Sequence, residues 1–582
     1  MMRAAQFIPI TLLAATFVPP AGLEASPLLE DERFGVMTHF AHGWEPSWIP
    51  AVAQASLTEI RDELYWQTVE PEKGKYVFPR QYESYMGGLE ESRVDPLIVL
   101  SFGNKNYDHG DTPCTDDGIA AYARYAVEVL RHYGRQIKAV EIWNEYNGTF
   151  CKGPATRDRS GTYLRMLRAA YAAIKRERPD VTVVGGATSG IPLPYWDKLL
   201  SGGALDFMDA LSVHPYRYDA PPEGIETEIA GLQALVEKHN DGRPKPIWVT
   251  EIGWNTKASE APGDLTIDDS TQAKFLVRAY ALLLSAGVKR VYWYLLHDDQ
   301  GLNMGLMRDD AQHTPKPAYF AMATMIRQLH GADFVRRDAS IPGLYSLVFA
   351  RPSGEEVRVV WAVKPLTVAA SGETAVMDMQ GRAMKPAPAL ALDDSPLFIT
   401  GPLTGLPPPP PATDEEILTD SAHDFSGRQG DHGWSYGVFE GDSTVFRPLP
   451  VCNTTDWKQE WSGDYPFISL SAHDQHPSVK DGIPVSAARR WVSDYDGSVR
   501  VAGQFRCGTQ GDGVGVSVWV DGRRKFRKLL GGKDGNAVVE NFDFIQAVHP
   551  GTKIDFAVDP GPATDINFDA AAVSATIFRR AR

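Results

Sequence analysis

The run Val140-Glu141-Ile142-Trp143-Asn144-Glu145-Tyr146-Asn147, entered through Ile137 and Ala139, is a short apolar segment that stops abruptly in Trp-Asn-Glu. Its length, its polar closure and the Gly148 that follows fit a buried parallel strand better than a helix. Such a strand delivers Asn144 and Glu145 to the carboxyl end of a sheet, where α/β enzymes assemble their chemistry. Pro246-Ile247-Trp248-Val249-Thr250 ends the same way, in Glu251. Two glutamates, each at the tip of an apolar strand, predict a carboxylate pair brought together by a barrel.

Outward from these two runs the same pattern recurs. Phe34–Phe40, Leu57–Arg61, Pro96–Phe102, Val181–Gly186, Asp209–His214 and Lys289–Leu295 are strand-like and bring the total to eight. Amphipathic helices alternate with them. One begins at Asp116-Asp117, repeats Ile119, Tyr122, Ala126, Val129 and Tyr133 at helical spacing, and ends at Gly134. Another, from about Ser270 to Ala286, places Phe275, Leu276, Ala279, Leu282 and Leu283 on one face before Gly287. The alternation predicts a (β/α)8 TIM barrel over residues 30–331. An open doubly wound sheet is the alternative, but no glycine-rich phosphate loop follows the first strand.

Beyond residue 331 the period changes. Gly343–Ala350 and Glu356–Ala362, joined by Pro352-Ser353-Gly354-Glu355, form a hairpin signal; Thr374–Met379 and Pro396–Thr400 follow. Residues 332–405 are therefore expected to make a small β-sandwich packed on the barrel, and 406–412 a stiff proline-rich linker. Residues 413–582 read as a C-terminal all-β module of sandwich type, with strands at Val499–Gly503, Val514–Val520 and Lys553–Val558.

The 582 residues carry a formal charge of −16, which argues against a nucleic-acid partner and a strongly polyanionic substrate. Arg3, the apolar run Phe7–Val18 and Leu23-Glu24-Ala25 before Ser26 resemble a signal peptide over 1–25, so a secreted or periplasmic location is expected. No later apolar run reaches the length of a membrane span. The four cysteines fall two and two, and in an exported protein Cys114–Cys151 and Cys452–Cys507 are candidate disulfides.

Glycoside cleavage needs two carboxyl groups flanking one bond, one to protonate the leaving oxygen and one to attack carbon or activate water. Trp143-Asn144-Glu145 and the strand-tip Glu251 resemble the clan A retaining glycoside hydrolases. Further pieces resemble glycoside hydrolase family 39 and related bacterial exopolysaccharide glycosidases. These are Arg61–Trp66 with Val69-Glu70-Pro71 and Gly74–Phe78, Leu100–Asn104 with Tyr107-Asp108, His214-Pro215-Tyr216, and Lys316–Tyr319. The resemblance covers residues 30 to 400 and implies Glu145 as acid/base, Glu251 as nucleophile and no cofactor or metal. It requires Glu251 ionised beside Arg61 and Tyr216, and Glu145 protonated.

Asn144, His214, Tyr216, Arg61, Trp293, Tyr107, Asp108 and Asp298 are the candidate sugar contacts of a poly- or oligosaccharide substrate. Trp293 is equally a core residue, His214 a strand-end histidine, and Arg61 a structural ion-pair partner. The stretch Leu296-His297-Asp298-Asp299-Gln300 departs from the acidic segment of the xyloside-cleaving members, which favours the exopolysaccharide branch over a β-xylosidase or arabinosidase. A non-catalytic polysaccharide-binding barrel is the reading from another class. In the C-terminal module, Trp434, Tyr436, Trp457, Trp461 and Trp491 are either core or a surface for stacking sugars. Asp512, Asp521, Asp555, Asp559, Asp565 and Asp569 are turn residues with the oxygen chemistry calcium accepts.

Overall fold

Eight parallel strands close into a barrel: β1 Phe34–Met37, β2 Glu59–Tyr65, β3 Asp95–Ser101, β4 Ala139–Ile142, β5 Thr182–Ser189, β6 Ala210–His214, β7 Ile247–Ile252 and β8 Arg290–Trp293. The computed structural model describes residues 29–579 apart from 219, 257–266, 300, 339–342, 371–373, 386–388, 402, 405–415, 423, 456–458, 508–512, 532–537, 562–565 and 567–568. The expected leader, the proline-rich linker, Trp457, Asp512 and Asp565 lie outside the described residues.

Alternation along each strand sorts the side chains. Leu97, Ala139, Val184, Ala210, Trp248 and Tyr292, one from each of six strands, pack into a layer inside the barrel. Gly35 completes it by having no side chain, since a Cβ there would meet the Tyr292 ring at 2.3 Å. On β2, Ile60 and Leu64 join the outer core under the helices, leaving Glu59, Arg61 and Glu63 to point inward. That inward charge explains why β2 begins later and runs further than Leu57–Arg61, where hydrophobicity places it.

The helix expected from Asp116 spans Asp116–Tyr133, but its cap is Thr115, whose hydroxyl accepts from the Gly118 amide at 3.1 Å. The later helix is Asp269–Ser285, capped by Asp268 through the Thr271 amide at 2.7 Å. No described helix is long and apolar enough to cross a membrane.

The small sandwich has a six-stranded and a three-stranded sheet, with Leu344–Ala350 and Glu356–Ala362 paired as a hairpin. It is tied to the barrel by Trp361 Nε1 donating to Glu223 at 2.8 Å and Lys274 to Asp394 at 2.7 Å. In the C-terminal module two antiparallel sheets enclose a separate core. Trp434, Tyr436, Trp461 and Trp491 belong to that core and are at most 5 % exposed, so these four are packing residues rather than a stacking surface. Asp521 accepts from the Lys553 amide and Asp555 is paired with Arg490, while Asp559 accepts from the Gly561 amide. Turn geometry and ion pairing account for these three carboxylates.

The expected disulfides are not formed; all four cysteines are thiols. Cys114 lies against the Asp108 carboxylate at 3.5 Å, and Cys151 beside the Tyr146 hydroxyl.

Candidate active site

At the C-terminal mouth of the barrel an oxygen of Glu145, a nitrogen of His214 and an oxygen of Glu251 lie within 4.8 Å of one another. Two local features aim the carboxylates. After β4 the backbone enters the left-handed region at Trp143 (φ 69°) and Glu145 (φ 43°). For non-glycine residues this costs roughly 1–3 kcal/mol each. Burial of Trp143 against Phe102 and Tyr146, and a 2.7 Å bond from the Glu145 amide to the Ala187 carbonyl, hold it in place. On β7 the register against β8 slips between Val249 and Ile252. Such a bulge breaks the simple alternation, which lets Glu251 face the mouth although Thr250 beside it already bonds His214 at 3.0 Å.

Arg61 organises the centre. Its Nη1 donates to Glu251 Oε1 at 2.6 Å, its Nε to Glu141 at 2.7 Å, and its Nη2 to Asn144 Oδ1 at 2.8 Å. Burial works against its charge, but Glu141 and Glu251 more than offset that, and the guanidinium stays cationic. The Tyr216 hydroxyl donates to the second Glu251 oxygen at 2.9 Å. Glu251 thus receives both contacts expected from the sequence.

Glu145 behaves differently from expectation. Burial pushes its carboxyl up, but the 3.1 Å hydrogen bond and the charge of His214, with Arg61 behind, outweigh burial and hold it below the usual carboxylate range. The free site therefore favours ionised Glu145, and the proton it needs as an acid is present chiefly in acidic solution. Two carboxylates and an imidazole are also a donor set that a divalent cation accepts. Here the Arg61 guanidinium already supplies positive charge to that cluster.

Of the eight candidate sugar contacts, Asn144, His214, Tyr216 and Arg61 converge on the pair. The other four do not. Trp293 is wholly buried, with its indole N–H bonded to the Met304 carbonyl at 2.9 Å, because it points outward from β8 into the helical layer. Tyr107 stacks on Trp66 and donates to Glu70 at 2.8 Å. Asp108 accepts from the Cys114 and Thr115 amides and shapes its own loop. Asp298 is engaged by the Gly305 amide at 2.9 Å and Lys316 at 3.2 Å.

The neighbouring Asp299 is the one turned toward the mouth. It bonds His39 Nδ1 at 2.8 Å and the Trp44 indole at 3.2 Å. Next to it stands Glu63, whose Oε2 is buried without a hydrogen-bond partner among the described residues and lies 3.9 Å from His42 Nε2. Burial, reinforced by Asp62, pushes the Glu63 carboxyl up. His42 is pushed down to about 4 by burial and the neighbouring His39. Of these, His39, His42 and Glu63 were not singled out as sugar contacts from the sequence, although two signals were present. His39 is a polar residue next to the end of the first strand-like run, and Glu63 is two residues beyond Arg61 on an alternating strand. On the other flank, Tyr216 stacks with the exposed Tyr218 at 4.9 Å beside a cleft of about 310 Å³ reaching Ser189 and His214.

A family model described as glycosyl hydrolase catalytic core matches residues 196–319, which include β6 to β8, His214, Tyr216 and Glu251. Among solved structures, a family 39 glycoside hydrolase from the gut symbiont Bacteroides cellulosilyticus WH2 is 26% identical with a TM-score of 0.56, covering 64% of this chain and 81% of its own. A family 39 β-xylosidase from Caulobacter crescentus is 18% identical (TM-score 0.48, covering 65% and 97%). The family 39 enzyme from Xanthomonas axonopodis pv. citri is 13% identical (TM-score 0.45, covering 92% and 96%). Comparison with curated proteins returns no match. With a closed parallel barrel and paired glutamates at its mouth, the protein is a glycoside hydrolase. Its resemblance is to a family 39 glycoside hydrolase, over 64% of the chain.

Proposed function

We propose that the protein is an exported retaining glycosidase that cleaves a poly- or oligosaccharide by double displacement. The observation that carries this reading is the separation of the Glu145 and Glu251 oxygens, within 4.8 Å. Retaining enzymes hold their carboxyl groups about 5–5.5 Å apart, whereas inverting ones need about 6.5–9.5 Å to admit water.

In the first step a Glu251 oxygen attacks the anomeric carbon. The bond to the leaving oxygen breaks, and that oxygen takes the proton of Glu145. In the second, Glu145 accepts a proton from water, which attacks the same carbon and frees the Glu251 carboxylate. Arg61 and Tyr216 fix the orientation of Glu251, and His214 fixes that of Glu145. A bacterial exopolysaccharide is the favoured substrate class, from the His297-Asp298-Asp299 departure noted above; export is proposed from residues 1–25.

The test is a panel of aryl β-xylosides, galactosides, glucosides and arabinosides, bacterial exopolysaccharides and hemicelluloses, with the first-formed anomer read by NMR. Retention, with a 2-deoxy-2-fluoroglycoside adduct on Glu251 by mass spectrometry, is expected. Inversion, or an adduct on another residue, would sink the mechanism.

A further inference from the structure

The C-terminal module carries a second cleft that the barrel chemistry does not use. On its seven-stranded sheet, Val485, Ala487, Val516, Val518 and Val558 turn into the sandwich core. Alternation sends Ser486, Ala488, Ser517, Trp519, Ala557 and Asp559 to the opposite face. Ala488 and Ala557 pack there with Phe439 and Phe446 in a small apolar cluster of their own. The result is a cleft of about 340 Å³ running across the strands. Small side chains make its floor, Phe439 and the 441–444 turn one wall, and Trp519 with Arg524 and Arg527 the other. It lies on the far sheet of the sandwich: the other sheet carries Gln504, whose amide lies beside Gly224 of the barrel.

The wall is built for an uncharged, hydroxyl-rich ligand. Trp519 is half-buried, its N–H is taken by Ser517 Oγ at 2.8 Å, and Arg524 stands 5.3 Å from its ring centre. The indole therefore offers apolar area on the side Arg524 does not cover, rather than a hydrogen bond. Arg527 is partly neutralised by Asp559 at 3.6 Å, and Asp555 is fully engaged by Arg490 at 2.6 Å. Both signs of charge line the cleft, Arg524 and Arg527 with Asp442 and Asp559, and Ser443 and Ser486 add hydroxyls. An anion or a cation would find its charge opposed on one side. A sugar ring, with an apolar face for an aromatic and hydroxyls for guanidinium and carboxylate, meets no such conflict.

We infer that this outer-face cleft, walled by Trp519 and Arg524, is a second carbohydrate-binding site that holds a neutral segment of a polysaccharide away from the catalytic mouth. The sugar class of the ligand rests on the glycoside hydrolase class of the barrel. The cleft does not depend on which sugar the barrel cleaves.

The experiment is native affinity electrophoresis of the full chain carrying Glu251→Gln, in gels containing soluble xylan, arabinogalactan or dextran, with alginate as the anionic polymer. At least one neutral polymer is expected to retard the protein. Trp519→Ala should weaken that binding about three- to tenfold, with Arg524→Ala acting in the same direction. In the otherwise wild-type chain, Trp519→Ala and Arg524→Ala should leave hydrolysis of a small aryl glycoside unchanged. That arm reads the barrel alone, so a failed mechanism there is distinguishable from a failed cleft. Retardation by no neutral polymer, by alginate only, or to an equal degree in both variants would overturn the inference. An unchanged melting temperature for Arg524→Ala, at an exposed position, guards against reading misfolding as lost binding.

Discussion

The floor and the mouth of the barrel hold two glutamates of the same strand, Glu59 and Glu63, in similar burial but in opposite states of partnership. Glu59 accepts from Arg290 at 2.8 Å and from the Tyr292 hydroxyl at 3.3 Å, below the apolar layer. Glu63 has an oxygen with no partner among the described residues. Burial pushes both up, Glu59 to about 8. A buried polar atom without a partner costs about 1–3 kcal/mol. The unsatisfied one lies at the catalytic end of the strand, 3.9 Å from His42 Nε2. The contrast separates carboxylates that hold the barrel from carboxylates that serve its mouth.

Substitutions that keep shape and remove charge should break the comparison most visibly at the mouth. Glu251→Gln is expected to lower kcat/KM on any cleaved glycoside by at least about 10⁴-fold, with circular dichroism unchanged. Glu145→Gln should cost about 10²–10⁴-fold on substrates with poor leaving groups, and far less on activated aryl glycosides, whose leaving group needs no proton. Equal losses on both substrate types would remove Glu145 as the acid. At the floor the pattern should invert. Above about pH 8, where Glu59 is ionised, Glu59→Gln leaves Arg290 with Glu32 as its remaining carboxylate partner and should lower unfolding free energy by about 1–3 kcal/mol with kcat/KM near wild type. A large loss of activity without loss of stability would erase the distinction between the two ends.

The proton on Glu145 sharpens it further. His214 is the main influence drawing that carboxyl down. In the profile of kcat/KM against pH, the basic limb reports deprotonation of the free enzyme's acid. The wild type should therefore work best in acidic solution, and His214→Asn should move the basic limb upward. A limb that stays in place would show that another group sets it.

How much of this was legible in the sequence divides along the same line. Strand tips gave Glu145, Glu251 and His214, because a run of apolar residues closed by a polar one reports its own end. Arg61 and Tyr216 came through resemblance and fell where expected. Trp293 failed because strand parity, not residue type, decides whether an aromatic faces the cleft or the helices. Asp298 and Asp299 are adjacent and chemically alike, and only the loop fold decides that Lys316 takes one and His39 the other. In the C-terminal module Trp434, Trp461 and Trp491 went to the core, and Trp519, alone in an apolar strand, came to the surface cleft. Pairing across sheets is long-range information that local periodicity does not carry.

Glu63→Gln puts the smallest and most specific weight on the comparison. The amide keeps both donor and acceptor, so KM should rise less than about threefold, against about tenfold for Glu63→Ala. Stability should respond to pH with a definite sign. The folded pKa of Glu63 lies above its unfolded value of about 4.3 because burial and Asp62 disfavour the charge. The folded chain therefore binds the extra proton. Its contribution to stability is complete below the unfolded value and is lost as pH rises through the folded one. Glutamine does not ionise, so the variant should gain on the wild type as pH rises from about 5 to above neutrality. The measurement is the difference in melting temperature between the two proteins at each pH, in which the other titrating groups largely cancel. A difference that does not change with pH would mean that Glu63 titrates as an ordinary surface carboxylate, and the unpaired oxygen at the mouth would then be solvated rather than held for a sugar.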